Sequence, residues 1–384
     1  MNAFSRVMLA VGGVRSKPRV VLALAMVSLV LPAGFLAASN RPSGPTPSVT
    51  VELFAGGLNN PRGLTFGPDG TLYVAEGGLG GSATTNVAQC QQVLPPVGPY
   101  SGGFSATISK IDPHGVRTVL AQGLPSSQTS PALGSLVSGV ADVAFVGDQL
   151  YALEAGAGCS HGLLDTVNAV YKIDGSGMAT PIADLSAFQK AHPVAQPNPG
   201  DFEPDGTWYS MVAVRGSLYA VEPNHGEIDR IDPSNGAISR VIDVSASQGH
   251  IVPTAIAYHG NFFFGNLGLF PVAPGSSSIY KVTPSGQIAT WAQGLTTVLG
   301  LAFDGHDRMY VLESMTAPGF PGPQELGAGR ITRIDPNGSQ TLIASGFSFP
   351  TALRMGPDGA LYVSNLGFGG PVPGLGQIYR IEVQ

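Results

Sequence analysis

The chain has 384 residues, of which 43 % are hydrophobic and 11 % charged, with 53 Gly, 32 Pro and a formal net charge of −6. That apolar content supports a packed core and excludes global disorder, while the shortage of Glu, Lys and Arg excludes a coiled coil or a helical bundle. Many short strands joined by Gly/Pro turns fit instead, and the acidic balance gives no electrostatic reason to bind nucleic acid or an anionic membrane.

At the amino end, Arg6, Arg15, Lys17 and Arg19 precede an apolar run over residues 20–31, then Pro32-Ala33-Gly34 and the small residues Ala37-Ala38-Ser39. This order of basic, apolar and small-residue segments predicts a secretory signal over 1–38, cleaved near Ala38 or Ser39. An uncleaved anchor over 20–38 is the alternative, and it is the one route to a membrane that the sequence offers. The mature chain is expected to be secreted or periplasmic. Residues 39–49, rich in Ser, Pro and Thr, read as a flexible linker, and 50–384 as one folded domain.

Internal repetition organises that domain. A short strand built as Leu-Tyr-Val-x-Glu recurs at 72–76, 150–154, 218–222, 262–266, 309–313 and 361–365. Each copy follows another apolar strand across a turn. Two of those turns read Gly-Pro-Asp-Gly, at 67–70 and 356–359, where Pro presets φ and Gly takes the left-handed corner. A third strand recurs at 108–112, 170–174, 228–232, 279–283, 331–335 and 378–382, usually followed by a Pro-x-Gly turn and a fourth strand. Six repeats of four antiparallel strands predict an all-β, six-bladed β-propeller. The last repeat stops at its third strand, so residues 50–54 are expected to supply its outer strand and close the ring.

The run Asn60-Pro61-Arg62-Gly63-Leu64-Thr65-Phe66-Gly67-Pro68-Asp69-Gly70-Thr71-Leu72-Tyr73-Val74-Ala75-Glu76, with Pro350-Thr351-Ala352 and Leu361-Tyr362-Val363-Ser364-Asn365, resembles the ScyD/ScyE family of exported propeller proteins. The resemblance covers about residues 50–384, and a looser one links the repeats to NHL-repeat and SMP-30/gluconolactonase-like propellers. It implies the propeller and export. It implies no catalytic residues that transfer by position, and Asn266 stands where the commonest pattern has Glu.

The loops that leave the second strands share a face with those that enter the innermost strands. Six polar residues end the second strands on that face: Glu76, Glu154, Glu222, Asn266, Glu313 and Asn365. Converging on the axis, they would suit a hard cation such as Ca²⁺ or another divalent ion, and the SMP-30 resemblance implies such a lining. Capping of backbone N–H groups is the other reading. Arg62 and Asp142 at the strand entries, with His161, Asn224 and His250 in the loops, are candidate ligand-binding residues. His225, three residues after Glu222, is the candidate general base. Cys90 and Cys159 lie in loops of adjacent blades, where a disulfide and two separate thiols are both open. The long insertions 77–105, 161–169 and 181–207 crowd this face and could wall a pocket.

Two functions follow as expectations. One is a binding protein that takes a small molecule or a protein partner on its acidic, loop-rich face. The other is a metal-dependent hydrolase or lactonase of SMP-30 type, in which the ion polarises a carbonyl and activates water.

Overall fold

The computed structural model describes residues 48–283 and 286–383. The predicted signal segment and all but the end of the linker lie outside these residues, and Val49, counted with the linker, already begins a strand. Among the described residues no helix is long and apolar enough to cross a membrane.

Six antiparallel sheets follow one another along the chain as six blades. From the innermost strand outwards, blade 1 is Pro61–Phe66, Leu72–Glu76, Ser101–Ile111 and Arg117–Gln128, with the two-residue strand Val137–Ser138 added at its edge. Blade 2 is Val140–Val146, Gln149–Glu154, Ala169–Ile173 and Ala179–Asp184. Blade 3 is Ser210–Val214, Ser217–Glu222, Glu227–Ile231 and Ile238–Asp243. Blade 4 is Pro253–His259, Asn261–Asn266, Ser277–Val282 and Ile288–Leu295. Blade 5 is Val298–Phe303, Met309–Glu313, Gly329–Ile334 and Gln340–Phe347. Blade 6 takes Ala352–Met355, Leu361–Asn365 and Gly376–Val383 from the carboxyl end and Val49–Leu58 from the amino end. The six-bladed propeller expected from the repeats is the observed fold.

The local chemistry explains the repeat. In the first Gly-Pro-Asp-Gly turn, Gly70 adopts φ +80°, and Asp69 Oδ1 accepts the Thr71 N–H at 3.0 Å. A Cβ at position 70 would be strained by that φ alone. No strand is stable by itself, and the inner strands bury side chains on both of their faces, so every blade needs two neighbours. The apolar core is accordingly six clusters, one at each blade junction. Leu153, Val170, Met211 and Leu218 join blades 2 and 3, and Leu312, Ile331, Val363 and Ile381 join blades 5 and 6. Leu64, Val74, Leu58 and Ile378 close the ring between blades 1 and 6.

The closing pair runs antiparallel with Val49 opposite Val383, Glu52 opposite Arg380 and Leu58 opposite Gly376. Arg380 ties it together, reaching Glu52 at 2.9 Å and Asp358 at 2.8 Å.

Two short helices had no counterpart in the strand reading. Leu185–Ala191 is capped by Asp184, whose side chain accepts the Ala187 N–H, and Val244–Gln248 by Asp243, which accepts from Ala246. Asp followed two residues later by Ser and then Ala is the signal both share, an N-cap ahead of a helical turn.

A chain beginning at Asn59 is expected to aggregate, because it leaves Gly376–Val383 as an open edge, whereas a chain beginning at Ser48 stays monodisperse. Size-exclusion chromatography of the two checks this.

Candidate functional site

The six residues that end the second strands do not converge on the axis. Glu76 accepts from Asn59 N at 2.6 Å and from Arg117 Nη2 at 2.7 Å, and also from the Ser109 hydroxyl. Glu222 accepts from Thr207 N at 2.9 Å and His225 N at 2.6 Å. Glu313 accepts from Thr296 N, Thr332 Oγ1 and Arg330. The amides of Asn266 and Asn365 do the same work, their Oδ1 atoms accepting from Ser278 N at 2.8 Å and Ser348 N at 2.7 Å. Glu154 accepts from Ala155 N and Gly156 N through Oε1, while its buried Oε2 has no partner. All six are buried, and each is engaged inside its own blade. The physical reason is position. A second-strand residue sits one strand away from the axis, and its nearest unsatisfied groups are the backbone N–H groups of the same blade's loops.

This donor set does not fit a divalent cation. Two of the carboxylates already face arginines, and among the described residues no three of His, Cys, Asp and Glu form a group that could hold a metal.

What faces the axis is the innermost strands. A space of about 40 Å³, room for a few waters at most, is lined by residues of all six blades, including Gly63, Asp142, Met211, Ile256, Leu301 and Arg354. Gly63 is required there, since a Cβ would lie 1.8 Å from Asp142 Oδ1. Asp142 accepts from Met211 N at 2.7 Å, and burial, opposed by Arg354, pushes its pKa up to about 6. At the loop-face mouth the Tyr209 hydroxyl, from the entry to blade 3, reaches across the ring to the carbonyl of Thr351 at the entry to blade 6, 2.7 Å away. Arg62 lies beside Tyr209 with its guanidinium over the Phe368 ring at 5.7 Å, donating to the Val137 carbonyl. Tyr209 and Arg62 thus close the mouth of the channel.

The larger space lies off the axis. A cleft of about 310 Å³ is walled by Cys90 and Gln91 from the blade 1 insertion and by Gln189, Lys190 and Val194 from the first helix and the segment after it. Pro193, Pro197, Phe202, Pro204, Asp205 and His225 complete it. Cys90 and Cys159 form a disulfide across 69 residues, with Cα atoms 6.2 Å apart, and so bind the loops of blades 1 and 2 to each other.

The remaining sequence candidates hold this region together. His161 is fully buried. Its Nδ1 meets Ser127 Oγ at 2.8 Å and its Nε2 the Gly206 carbonyl at 3.1 Å, and burial pushes its pKa down to about 4. With both nitrogens engaged, it is a brace between insertions. His250 contacts Asp201 Oδ2 at 2.8 Å, and Asn224 donates to the Asp201 carbonyl at 3.3 Å, so both anchor the segment that carries Phe202. His225 alone of these lines the cleft. Sequence reasoning placed a pocket among the insertions 77–105, 161–169 and 181–207, and two of these build the cleft, but it missed Tyr209 and Gln189.

Several carboxyls here hold protons to unusually high pH. Burial pushes Glu154 and Glu203 up to about 8 each. Burial, then neighbouring Glu227, does the same for Asp229, whose two oxygens accept no hydrogen bond.

No family model matches the chain, and no curated protein matches it in sequence. Solved structures share its fold. A gluconolactonase from Xanthomonas campestris is 10 % identical with a TM-score of 0.52, over 90 % of this chain and 99 % of that one. The soluble aldose sugar dehydrogenase of Escherichia coli is 13 % identical, also at 0.52, over 88 % of this chain and 100 % of that one. An auxiliary nutrient binding protein from Bacteroides thetaiotaomicron is 11 % identical at 0.52, over 88 % and 77 %. The likeness to gluconolactonase-type propellers therefore holds for the fold.

Two predictions follow from these interactions. EDTA and millimolar Ca²⁺ should leave the melting temperature unchanged, while Glu222→Gln lowers stability by about 1–2 kcal/mol through the lost loop cap, as read by denaturant titration. For the raised carboxyls the unfolded chain loses its protons first, near pH 4–4.5, while the folded chain keeps them. Stability therefore falls as pH rises from about 5 to 8 and levels above that. Calorimetric scans across this range should show the decline, and Glu154→Gln should remove about 1–3 kcal/mol of it.

Proposed function

We propose that the chain is an exported binding protein of the ScyD/ScyE type that takes a small molecule into the cleft between the insertions of blades 1, 2 and 3. The observation that carries this reading is the cleft itself. It is a roomy space on the loop face, most of its exposed surface is apolar, and a disulfide and a buried histidine brace the loops that build it. Such a concave, apolar space with few polar groups is the usual form of a small-molecule site. The motif over residues 60–76 supports the family, and a disulfide suits an oxidising compartment outside the cytoplasm.

The hydrolase reading has less support. It needs a cation on the strand-end carboxylates, and those accept from loop N–H groups, with Glu76 and Glu313 also paired to arginines. A lactonase, a sugar dehydrogenase and a nutrient-binding protein share this fold, so the architecture does not select a reaction.

A protein partner is the second reading, favoured by exposed apolar side chains on the same face: Val87, Leu94, Phe104, Leu164, Leu269 and Phe320. Isolated apolar residues at loop tips are common on any protein surface, so the cleft carries the proposal.

A thermal-shift screen of small organic molecules tests it. A hit should lose its effect in Gln91→Trp, a substitution at an exposed position of the cleft wall that fills the space and leaves the melting temperature of the free protein unchanged. A hit that Gln91→Trp leaves intact would place binding elsewhere.

A further inference from the structure

The tautomer of His225 identifies what the cleft takes. The Nε2 atom of His225 lies 2.9 Å from the backbone carbonyl of Glu203. A carbonyl oxygen only accepts, so Nε2 carries the proton and, in the neutral ring, Nδ1 presents a lone pair. The ring cannot easily turn. Its own backbone N–H is bound to Glu222 Oε2 at 2.6 Å, and its face lies against Phe202 with centroids 4.6 Å apart. Among the described residues Nδ1 has no hydrogen-bond partner, yet it is not one of the sealed, unsatisfied atoms of the interior. His225 is 5 % exposed, and it lines the cleft. In the neutral ring a fixed, unpartnered acceptor therefore belongs to a residue of the cleft wall.

The wall's neutral polar side chains besides His225 are Gln91 and Gln189, the latter donating to Glu227, and its two charged groups offer no counterpart for a charged ligand. Lys190 and Asp205 close on each other, and Asp205 Oδ2 also accepts from Ser160 N at 2.7 Å and Ser160 Oγ at 2.6 Å. An anion would meet the Asp205 carboxylate, with Glu222 and Glu227 behind the wall. A cation would enter an apolar space in which that carboxylate is already neutralised, and an unpaired charge there is costly.

From this geometry we infer that the cleft takes a neutral, ring-bearing alcohol, its hydroxyl donating to His225 Nδ1 and its ring lying among Phe202, Val194 and Pro204. The inference rests on the proposal that this cleft is a small-molecule site, and it adds the class of molecule.

Four probes of one shape test it on the whole folded domain: benzyl alcohol, benzyl methyl ether, benzylamine and benzoate, titrated by NMR. The alcohol should bind about 5- to 10-fold more tightly than the ether, which has no donor for the buried acceptor, and more tightly than either ion. With ¹⁵N-labelled histidine, the Nδ1 resonance of His225 should move on adding the alcohol and stay in place with the ether. In His225→Phe the alcohol should fall to the affinity of the ether. The ¹⁵N measurement on the native protein stands by itself if that variant does not fold. Equal binding of alcohol and ether with an unmoved Nδ1 signal would overturn the inference and leave the cleft as a site. Tighter binding of amine or benzoate would overturn it in favour of a charged ligand. Binding of none of the four would remove both the inference and the small-molecule reading.

Discussion

The ring closes because one strand from the amino end pairs with the last strand of the chain, and everything else in the molecule depends on that closure. The core is distributed over six junctions, each built by two neighbouring blades. An open ring would lose one junction outright and expose a long sheet edge at Gly376–Val383. With Val49–Leu58 in place, each blade has two neighbours and the sheets have no unpaired partner at the seam. The rigidity that follows allows long loops to be carried on one face, since their anchoring strands are fixed by neighbours on both sides.

Closure also determines where chemistry can sit. Six innermost strands brought around one axis leave about 40 Å³ between them, and Tyr209 crosses the mouth. The axis is thus a structural seam, held by hydroxyl-to-carbonyl bonds between blades, such as Thr351 to Pro61 and Thr254 to Val298. The strand-end acids serve the same scaffold. The oxygens of Glu76, Glu222 and Glu313 gather N–H groups of the entering loops and those of Glu154 the loop that follows it, a structural role that accounts for a carboxylate recurring at that position. The roomy cleft lies where insertions depart from the repeat, at the junction of blades 1, 2 and 3.

That junction is assembled from many weak, specific contacts. The disulfide joins two insertions, His161 joins Ser127 to Gly206, and the Tyr100 hydroxyl donates to Glu203 at 2.7 Å. Glu203 in turn fixes His225 through its backbone carbonyl. The chain of contacts runs from the blade 1 loop to the one histidine that faces the cleft, so the site's geometry is set by residues more than one hundred positions apart. Burial raises the carboxyls of Glu203 and Asp229 nearby, a cost of this order that is tolerable because protons remain on them.

The sequence by itself determined the fold, the number of blades, the split last blade and the face that carries the loops. These are local and periodic properties: a Leu-Tyr-Val-x-Glu strand, a Gly-Pro-Asp-Gly turn and their spacing recur, and repetition makes each instance confirm the others. It also named the right residues for the wrong geometry, since Glu76, Glu222 and Glu313 are prominent in the repeat but point back into their own blades. Tertiary structure alone decided that the axis is closed by Tyr209, that Cys90 meets Cys159, and that His225 rather than His161 or His250 faces a cavity. Those outcomes depend on how non-repeating insertions dock against one another, and docking is set by long-range packing that no local pattern encodes.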